Sequence, residues 1–527
     1  MPAWIDSLVH RKDARLLDPS QPRVPITDES PHAVVIGAGF GGLASAIRLL
    51  ARGFRVTVVD RLDQAGGRAR VFHENGYTFD AGPTVVTAPF LLDELWQLAG
   101  KNRADDVELR EVTPFYRIRY DDGTYFDYTG DSAQMHEQIR QFAPDDVEGY
   151  DRFFEKTKDI FKVGFEELAH VPFTNVSDMA KIVPAMAWLE SHRTVYGFVS
   201  KFVKHEKIRQ VLSFHPLLVG GNPFNVTSIY TMIAFLERKW GVWYAMGGTG
   251  ALINGLVGLV EEMGGTIRLN ADVDQILVNG KRAAGIRLES GETIDADLVV
   301  SNADIAWTYR HLVPSNVRKV WTDKKIEKTK FSMSLLVWYF GTNKTYDDVK
   351  HHTILLGPRY KELLDDIFGQ RLAEDFSLYL HRPTATDPSM APDGCDAFYV
   401  LSPVPHLDSG DPWDDEQTER YRQAVSKYLS ESILPGLEDH LDASLTLTPK
   451  GFLTDYKAYK GAAFSIEPVL TQSAYFRPHN ISEDVEHLYF AGAGTHPGAG
   501  MPGVISSARV LDTVVPDAAT FETRIGV

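Results

Sequence analysis

Three glycines near the start of the chain have the spacing of a loop that can hold a diphosphate. Gly37, Gly39 and Gly42 follow an apolar run of strand type, Ala33 to Ile36, and precede a helical pattern. Such spacing lets the backbone turn tightly and approach a pyrophosphate at the positive N-terminus of the helix. A second strand pattern ends at Asp60, where a carboxylate can accept hydrogen bonds from ribose hydroxyls. The order of strand, glycines, helix, strand and acid predicts a dinucleotide site.

A short turn after Asp60 distinguishes between the dinucleotides that such a loop can bind. Gly66, Gly67 and Arg68 follow within a few residues and resemble the flavin-binding turn of glutathione-reductase-like and amine-oxidase-like flavoproteins. Plain NAD dehydrogenases lack this turn, so the sequence favours FAD as the cofactor. The resemblance places the Arg68 guanidinium and the neighbouring backbone near the phosphates.

The same resemblance implies two further contacts with the cofactor. In those flavoproteins the backbone passes close to the flavin ring at a turn such as Gly82, Pro83 and Thr84. A plain connecting loop is an equally good interpretation of these three residues. Val273 opens a series of short strand patterns and stands where the backbone would hold the adenine.

A second glycine-rich loop lies near the C-terminus, between a strand pattern and a helical pattern that begins at Pro502. A helix N-terminus aimed at the flavin could stabilise negative charge on the reduced ring. The first and last segments would then build one site, which requires a discontinuous FAD domain. The residues of this loop that we assign to the cofactor are Gly492, Gly494, Thr495, Gly503 and Val504.

Composition limits the class of protein. The chain has 527 residues, of which 44% are hydrophobic, and a net charge of −17, which argues against nucleic acid as a partner. The single cysteine, Cys395, allows no internal disulfide and fits a cytoplasmic protein. Residues 1–31 lack the apolar core of a signal peptide, so we predict an N-terminal extension.

A membrane surface is a candidate partner even though no segment has the pattern of a spanning helix. The uncharged stretch 210–236 is interrupted by Pro216 and Pro223, so it cannot span as one helix. The helical pattern 133–207 mixes lysines and arginines with aromatic residues, which is typical of a membrane-contact face or of a plain core with solvated lysines. Residues 318–330 form a second possible basic face.

These patterns predict an α/β fold. It would combine a Rossmann-like FAD domain of glutathione-reductase type with an inserted mixed-sheet substrate domain and a helical membrane or lid region. The FAD domain would be built from three separate segments, 32–130, 246–305 and 478–527. The other predicted segments are the N-terminal extension 1–31, the helical region 131–245 and the substrate domain 306–477.

No metal site is predicted. His351 and His352 are candidate metal ligands by residue type, but adjacent residues of a strand point to opposite faces of a sheet. We find no third ligand at a suitable spacing in the sequence.

Several longer motifs together resemble the bacterial-type phytoene desaturases, over about residues 32–515. Amine-oxidase relatives often have an acid where this chain has Ala493, and this departure points away from amine oxidation. The motifs that carry the resemblance are the first glycine loop, Phe79–Thr84, Pro114–Tyr116, Phe214–Leu217, Gly220–Phe224, Trp243, Phe464–Pro468 and Gly492–Gly503.

The resemblance implies an FAD-dependent oxidoreductase of carotenoid biosynthesis, peripheral on a membrane. It would dehydrogenate phytoene, a long polyene hydrocarbon, in successive steps to neurosporene or lycopene, with a quinone or oxygen as the final electron acceptor. Because a hydrocarbon has no acidic proton, hydride transfer to the flavin should come first, followed by loss of a proton. The polar residues that we consider as catalytic candidates are Asp151, Arg152, His215, Glu467 and His496, of which His496 is the first choice.

Two other functions remain open at this point. One is a carotenoid cis–trans isomerase or saturase on the same scaffold, which the C-terminal motif disfavours. The other is a non-catalytic, isoprenoid-binding escort protein without flavin. Such a protein would not need Asp60, Arg68 and the loop Gly492–Gly503 together.

Overall fold

The computed structural model describes residues 16–521. Of the predicted extension 1–31, residues 1–15 lie outside the described range, and residues 16–31 contain no helix or strand. Residues 522–527 of the last predicted segment also lie outside it. Among the described residues, no helix combines the length and the apolar character needed to cross a membrane.

The strands are, in chain order, β1 (His32–Ile36), β2 (Arg55–Val59), β3 (Val71–Glu74), β4 (Tyr77–Asp80), β5 (Leu109–Glu111), β6 (Tyr116–Tyr120), β7 (Tyr125–Tyr128), β8 (Trp243–Ala245), β9 (Thr266–Arg268), β10 (Val273–Asn279), β11 (Arg282–Leu288), β12 (Thr293–Asp295), β13 (Leu298–Ser301), β14 (Ser334–Thr342), β15 (His352–Leu356), β16 (Leu378–His381), β17 (Asp396–Val404), β18 (Leu441–Leu447) and β19 (Leu488–Phe490).

The α-helices are α1 (Phe40–Ala51), α2 (Pro89–Leu98), α3 (Arg103–Asp106), α4 (Ser132–Phe142), α5 (Val147–Phe161), α6 (Val176–Trp188), α7 (Val195–Val199), α8 (Glu206–Ser213), α9 (Met232–Trp240), α10 (Gly248–Glu262), α11 (Ile305–Trp307), α12 (Asp323–Lys328), α13 (Tyr360–Phe368), α14 (Asp415–Ser432), α15 (Leu437–His440), α16 (Pro449–Tyr456) and α17 (Met501–Val514). Single turns of 3₁₀ helix and two π-helical segments, Lys162–Glu167 and Thr308–Leu312, complete the helical structure.

A five-stranded parallel sheet forms the first layer, in the order β19-β13-β1-β2-β9. Its central strands are continuous apolar runs, as expected for strands with both faces covered, and Ala33, Val34 and Val35 are fully buried. Because β13 and β19 lie beside β1, three distant stretches of the chain share this sheet. The structure confirms the predicted α/β fold with a Rossmann-like, discontinuous domain.

The second layer is a seven-stranded mixed sheet in the order β18-β14-β17-β16-β15-β6-β7. Its strand β14 is buried along its whole length between β17 and β18. Strand β6 pairs in parallel with β15 and antiparallel with β7, so the hairpin of β6 and β7 forms one edge of this sheet. The predicted boundary at residue 130 thus follows a hairpin that extends the second sheet.

Residues 132–240 form a helical layer beside the second sheet. The aromatic residues of this segment pack mainly inward, since Phe153, Phe161 and Phe198 are buried. Its cations face carboxylates: Glu190 lies 2.5 Å from Lys201 and 2.6 Å from Arg193. At these two positions the expected basic face is therefore neutralised by an acidic neighbour.

The two ends of the described chain are joined by a buried ion pair. Helices α1 and α17 pack side by side, and Arg48 Nη1 lies 2.6 Å from Asp512 Oδ2, with both side chains 1% exposed. Arg48 also contacts Glu94, which lies 3.3 Å from Arg509. The pairing satisfies charges that would be costly to bury alone, and it fixes the two helices in one orientation.

Candidate active site

A cavity of about 870 Å³ lies between the two large sheets and the helical layer. One end is lined by the loop residues after β1, β2 and β13 and by the loop before α17. The other end is lined by apolar side chains of the seven-stranded sheet and the helices. Because this lining is continuous, a molecule in the apolar region can contact a cofactor held at the polar end.

The first glycine loop turns as the sequence predicts. Gly37 has a φ of +97°, and a Cβ atom on Gly42 would lie only 1.8 Å from the carbonyl oxygen of Gly37. The Asp60 carboxylate accepts hydrogen bonds from the backbone N–H of Ala38 at 2.7 Å and of Leu62 at 2.9 Å. Gly37, Gly39 and Asp60 line the cavity, whereas Gly42 lies behind it.

Asn302, which we did not assign to the site from the sequence, lies between the two glycine-rich loops. A Cβ atom on Gly41 would lie 2.4 Å from Asn302 Nδ2, and one on Gly492 would lie 2.6 Å from the same atom. The Asn302 side chain donates a hydrogen bond to the carbonyl oxygen of Ala491 at 2.9 Å. Its position directly after β13 was the available signal, because the ends of parallel strands meet at one edge of the sheet.

The Gly66–Arg68 turn packs onto the first loop, since the N–H of Gly66 donates to the carbonyl oxygen of Ala38 at 2.9 Å. Arg68 lines the cavity, and its Nε and Nη2 atoms are buried without a hydrogen-bond partner. Burial lowers the pKa of this guanidinium, and Asp304 opposes the shift. Unpartnered guanidinium donors beside a glycine loop fit the phosphates of a dinucleotide.

The turn at Gly82, Pro83 and Thr84 lines the cavity at the junction of the two sheets. Thr84 Oγ1 lies 2.7 Å from the hydroxyl oxygen of Tyr399, which also donates to the carbonyl oxygen of Gly82 at 3.1 Å. Val273 begins β10 and lines the polar end. The structure therefore brings these four predicted residues to the cavity wall.

The second glycine-rich loop closes the polar end. Gly492, Gly503 and Val504 line the cavity, whereas Gly494 and Thr495 lie behind its surface. Gly494 has no room for a side chain, because a Cβ atom there would lie 2.5 Å from Ile305. The Thr495 hydroxyl donates to the carbonyl oxygen of Pro478 at 2.7 Å.

Arg477 supports this loop and was not identified from the sequence. Its buried guanidinium donates to the carbonyl oxygens of Thr495 at 3.1 Å and Ala493 at 2.7 Å. A further bond reaches the carbonyl oxygen of Ile466 at 3.0 Å. With a fourth bond to the carbonyl oxygen of Gln472 at 3.3 Å, the side chain fixes four backbone carbonyls, and no pattern in the local sequence indicates this role.

His496 lines the cavity next to the second loop. Its Nε2 atom lies 2.9 Å from the carbonyl oxygen of Leu168, and Phe173 contacts the ring edge-on. Burial lowers the pKa of His496 to about 4, so the imidazole is neutral at physiological pH. The His496 ring is neutral and its Nε2 atom is held by a backbone carbonyl. The ring can therefore shape the cavity wall next to the second loop.

Two predicted catalytic residues lie away from the cavity. Asp151 and Arg152 are on the outer side of α5, with side chains 55% and 64% exposed. Asp151 accepts a hydrogen bond from His136 at 2.7 Å, and Arg152 lies 3.9 Å from Glu148. Both side chains face solvent, so the structure does not bring these two predicted residues to the cavity.

Glu467 and His215 are buried but do not line the cavity. The N–H of Glu467 donates to the carbonyl oxygen of Lys330 at 3.0 Å. Burial raises the pKa of Glu467 to about 7, although Lys330 favours the charged form. His215 Nε2 lies 3.0 Å from Glu237 Oε2, so His215 reaches the cavity only through this carboxylate.

Glu237 is the principal functional candidate that sequence reasoning missed. It lines the cavity with its side chain fully buried, and its Oε1 atom accepts a hydrogen bond from the Tyr116 hydroxyl at 2.7 Å. Burial and the nearby carboxylate raise the pKa of Tyr116 well above its ordinary value. The available signal was an acid directly after the uncharged stretch 210–236, within a helix of otherwise apolar inner face.

The remaining wall is apolar and follows the alternation of the strands. On β14 and just before it, Met333, Leu335 and Val337 face the cavity, and on β15 Ile354 and Leu356 do so. Every second residue of a strand points to the same face, so the sheet presents a continuous apolar surface. The helices add Leu217, Leu236, Leu363, Leu364 and Ile367 to this surface.

A third imidazole, which the spacing in the sequence did not indicate, lies beside His351 and His352. The imidazole of His381 lies next to both, and ligand atoms of the three side chains all lie within 4.8 Å of one another. His351 precedes β15, so the alternation rule does not apply to the pair, and His381 is the cross-strand neighbour of His352.

Comparison with known proteins agrees with this geometry. The family model of flavin-containing amine oxidoreductases matches residues 40–510. A lycopene-forming phytoene desaturase of Pseudescherichia vulneris is 49% identical, over 92% of this chain and 98% of that protein. A neurosporene-forming phytoene desaturase of Rhodobacter capsulatus is 47% identical, over 94% of this chain and 96% of that protein.

An oxidoreductase structure from Methanosarcina mazei shares the fold, with a TM-score of 0.60 at 19% identity over 90% of this chain and 98% of that one. The fold and the site define a flavin-dependent oxidoreductase. The chain belongs to the flavin-containing amine oxidoreductase family and, within it, to the phytoene desaturases. Its cofactor is FAD, in agreement with the two glycine-rich loops, here called the cradle, and with the Arg68 donors that have no partner in the protein.

We predict that Arg68→Met weakens FAD binding about 10- to 100-fold, because it removes charge-assisted hydrogen bonds worth about 1.5–3 kcal/mol. The measurement is a fluorescence titration of apoprotein with FAD. Arg55→Met, at an exposed position, is the matched control and should bind FAD like the wild type. An unchanged dissociation constant together with a less stable apoprotein would show that Arg68 serves only the fold.

We predict that Glu467→Gln stabilises the protein at alkaline pH. The raised pKa means that the folded state binds this proton more tightly than the unfolded chain, so the stabilisation is complete below pH 4.5 and is lost as the pH rises through about 7. At pH 8 the variant should therefore gain up to about 3 kcal/mol in unfolding free energy, with no gain near pH 4.

Urea unfolding across this pH range provides the measurement. Glu289→Gln, which changes an exposed glutamate, should follow the wild-type profile. An advantage of the Glu467→Gln variant that does not change with pH contradicts the expected titration.

Proposed function

We propose that this chain dehydrogenates phytoene in successive steps to neurosporene or lycopene. The observation that carries the proposal is the continuity of one cavity from the flavin cradle to a long apolar wall. A wall of apolar side chains recognises a hydrocarbon through burial and van der Waals contact alone. The relatives named above carry this activity in their names, which supports the same substrate here.

FAD, when bound in the cradle, supplies a hydride acceptor for an allylic C–H bond of the polyene. The chain's own role is to bind the cofactor, orient the hydrocarbon and exclude water. We propose that Asp60 holds the ribose, Arg68 the phosphates and the backbone at Val273 the adenine. The turn at Gly82–Thr84 and the loop Gly492–Val504 would then flank the flavin ring.

We propose that Glu237 receives the proton that leaves the substrate after hydride transfer. Its carboxylate is the acidic group in the apolar region of the wall, and bonds from Tyr116 and His215 fix its position. The Tyr116 ring lies 5.7 Å from that of His352, whose Nδ1 is 2.7 Å from the Tyr379 hydroxyl beside Thr84. These contacts link Glu237, through Tyr116, His352 and Tyr379, to the turn that would face the flavin. A carboxylate there also stabilises positive charge on the polyene.

The central experiment is an anaerobic assay of FAD-loaded protein with phytoene in liposomes. We expect the flavin to bleach as new long-wavelength polyene bands appear, and the band positions identify neurosporene or lycopene. Polyene bands that shift without flavin reduction would indicate an isomerase instead. Tight phytoene binding without any spectral change would indicate an escort protein.

We predict that Glu237→Gln lowers kcat for polyene formation by about 100-fold or more, since general acid–base groups contribute about 10²–10⁴-fold. Single-turnover absorbance of the polyene gives this rate. Glu166→Gln, which changes an exposed glutamate, is the control and should keep the wild-type rate. A normal rate in the Glu237→Gln variant with bound FAD would contradict the proposed role.

We further propose that the chain is a cytoplasmic protein peripheral on a membrane, with the cavity mouth against the lipid. Val183, Leu470 and Phe476 both line the cavity and expose 55%, 45% and 54% of their surface. Val176, which is 64% exposed, extends this apolar rim along α6. A hydrocarbon could then pass from the bilayer to the cavity without crossing water, and a quinone or oxygen would accept the electrons.

We predict that Val183→Asp with Phe476→Asp reduces cosedimentation with phosphatidylcholine vesicles at least tenfold, because apolar burial holds the rim in the membrane. Anionic lipid should add little, given the net charge of −17. Val24→Asp, at a 46% exposed apolar residue outside both candidate basic faces, is the control. Equal vesicle binding by the double variant and the wild type would contradict a membrane contact at the rim.

A further inference from the structure

The histidine cluster formed by His351, His352 and His381 is a second polar centre, separate from the lining of the cavity. All three side chains are buried, and the ring centroids lie 4.5–5.3 Å apart. Within residues 16–521, this is the one group of three or more His, Cys, Asp or Glu side chains whose ligand atoms lie close enough together to share an ion. The catalytic proposal uses none of the three imidazoles as a reacting group.

Several ring nitrogens of the cluster have no hydrogen-bond partner in the protein. His351 Nε2, His352 Nε2 and both ring nitrogens of His381 are buried without a hydrogen-bond partner. Each unpaired buried polar atom costs about 1–3 kcal/mol, so four in one place require an explanation. Imidazole nitrogens that lack a partner in the protein are available as metal ligands.

Hydrogen bonds to the opposite nitrogens orient two of the rings. His351 Nδ1 lies 2.7 Å from Thr386 Oγ1, and His352 Nδ1 lies 2.7 Å from the Tyr379 hydroxyl. Metal-binding histidines characteristically engage their second nitrogen in this way, which fixes the ring and leaves Nε2 for the ion. The arrangement therefore has both the ligand atoms and their supporting contacts.

The surrounding charges can accommodate a cation. Tyr244 packs 4.6 Å from the His351 ring and experiences the negative charge of Asp80 and Asp387. Arg382, whose charge acts on His351, is paired with Asp396 at 2.9 Å. No thiolate or carboxylate belongs to the cluster itself, so three imidazole nitrogens would supply the protein ligands.

We propose that the histidine cluster binds one divalent transition-metal ion, of which zinc is the best match. Zinc accepts imidazole nitrogens at about 2.0–2.1 Å in tetrahedral geometry, which places ligand atoms about 3.3 Å apart. The ligand atoms now lie within 4.8 Å of one another, so binding would draw the three imidazoles closer together. Three protein ligands leave a fourth position for water.

The bound ion would stiffen the wall at the flavin end of the cavity. From His352 the contacts continue to the Tyr379 hydroxyl, which lies 3.5 Å from Thr84 Oγ1. The same threonine is held by Tyr399, whose ring lies 4.7 Å from that of His381. The ion is thus a structural centre behind the turn Gly82–Thr84, and its role there rests on the proposed function of that turn.

The experiment uses full-length, FAD-loaded protein that has been stripped of metals with a chelator. Titration with zinc alone, followed by elemental analysis after desalting, should give one zinc per chain and a higher Tm. Cobalt in place of zinc should give the visible bands of a tetrahedral nitrogen site. His381→Phe should reduce zinc affinity at least tenfold and abolish the Tm shift, because phenylalanine keeps the packing but removes the ligand.

His73→Phe, which changes an exposed histidine, is the matched control and should behave as the wild type. If His381→Phe does not fold, as judged by circular dichroism and FAD retention, His351→Phe provides the same test. Substoichiometric zinc in the wild type, or equal binding in the cluster variants, would overturn the proposal. Both readouts are independent of phytoene turnover, so they remain valid if the proposed desaturation fails.

Discussion

The close packing of two glycine-rich loops around Asn302 is the constraint on which the cofactor site depends. The first loop follows β1 and the second precedes α17, yet both approach the same amide at distances that exclude a side chain. This contact brings the N-termini of α1 and α17 to one edge of the parallel sheet, where their dipoles add. The ion pair of Arg48 with Asp512 secures the same two helices along their length.

The cofactor end of the molecule could be predicted because its information is local. The strand, the three glycines and Asp60 occupy one short stretch, and their spacing alone specifies a tight turn at a helix N-terminus. Asn302 and Arg477 escaped prediction because neither belongs to a local pattern. Each acts by reaching backbone atoms that only the folded chain brings near.

The substrate side was harder to predict because its contacts are between distant strands. Asp151 and Arg152 were chosen for their chemistry, but the helical period turns both toward solvent. His381 escaped notice because the antiparallel register of β15 and β16, which no single segment encodes, sets it opposite His352. Glu237 was missed for a similar reason, since its partner Tyr116 lies on β6 of the second sheet, far from Glu237 in the sequence.

The seven-stranded sheet links features that would otherwise seem independent. Tyr399 holds the turn at Thr84, and Tyr379 joins that turn to the histidine cluster. Tyr116, from the same sheet, bonds Glu237. A shift of these strands would therefore move the flavin-side turn and the proposed proton acceptor together.

The helix Tyr360–Phe368, in contrast, contributes apolar side chains to the wall. Changes in that helix can alter how far a polyene extends into the cavity while the reacting end keeps its geometry. Under the proposed function, this helix would govern substrate length and the sheet would govern the reacting end of the same cavity.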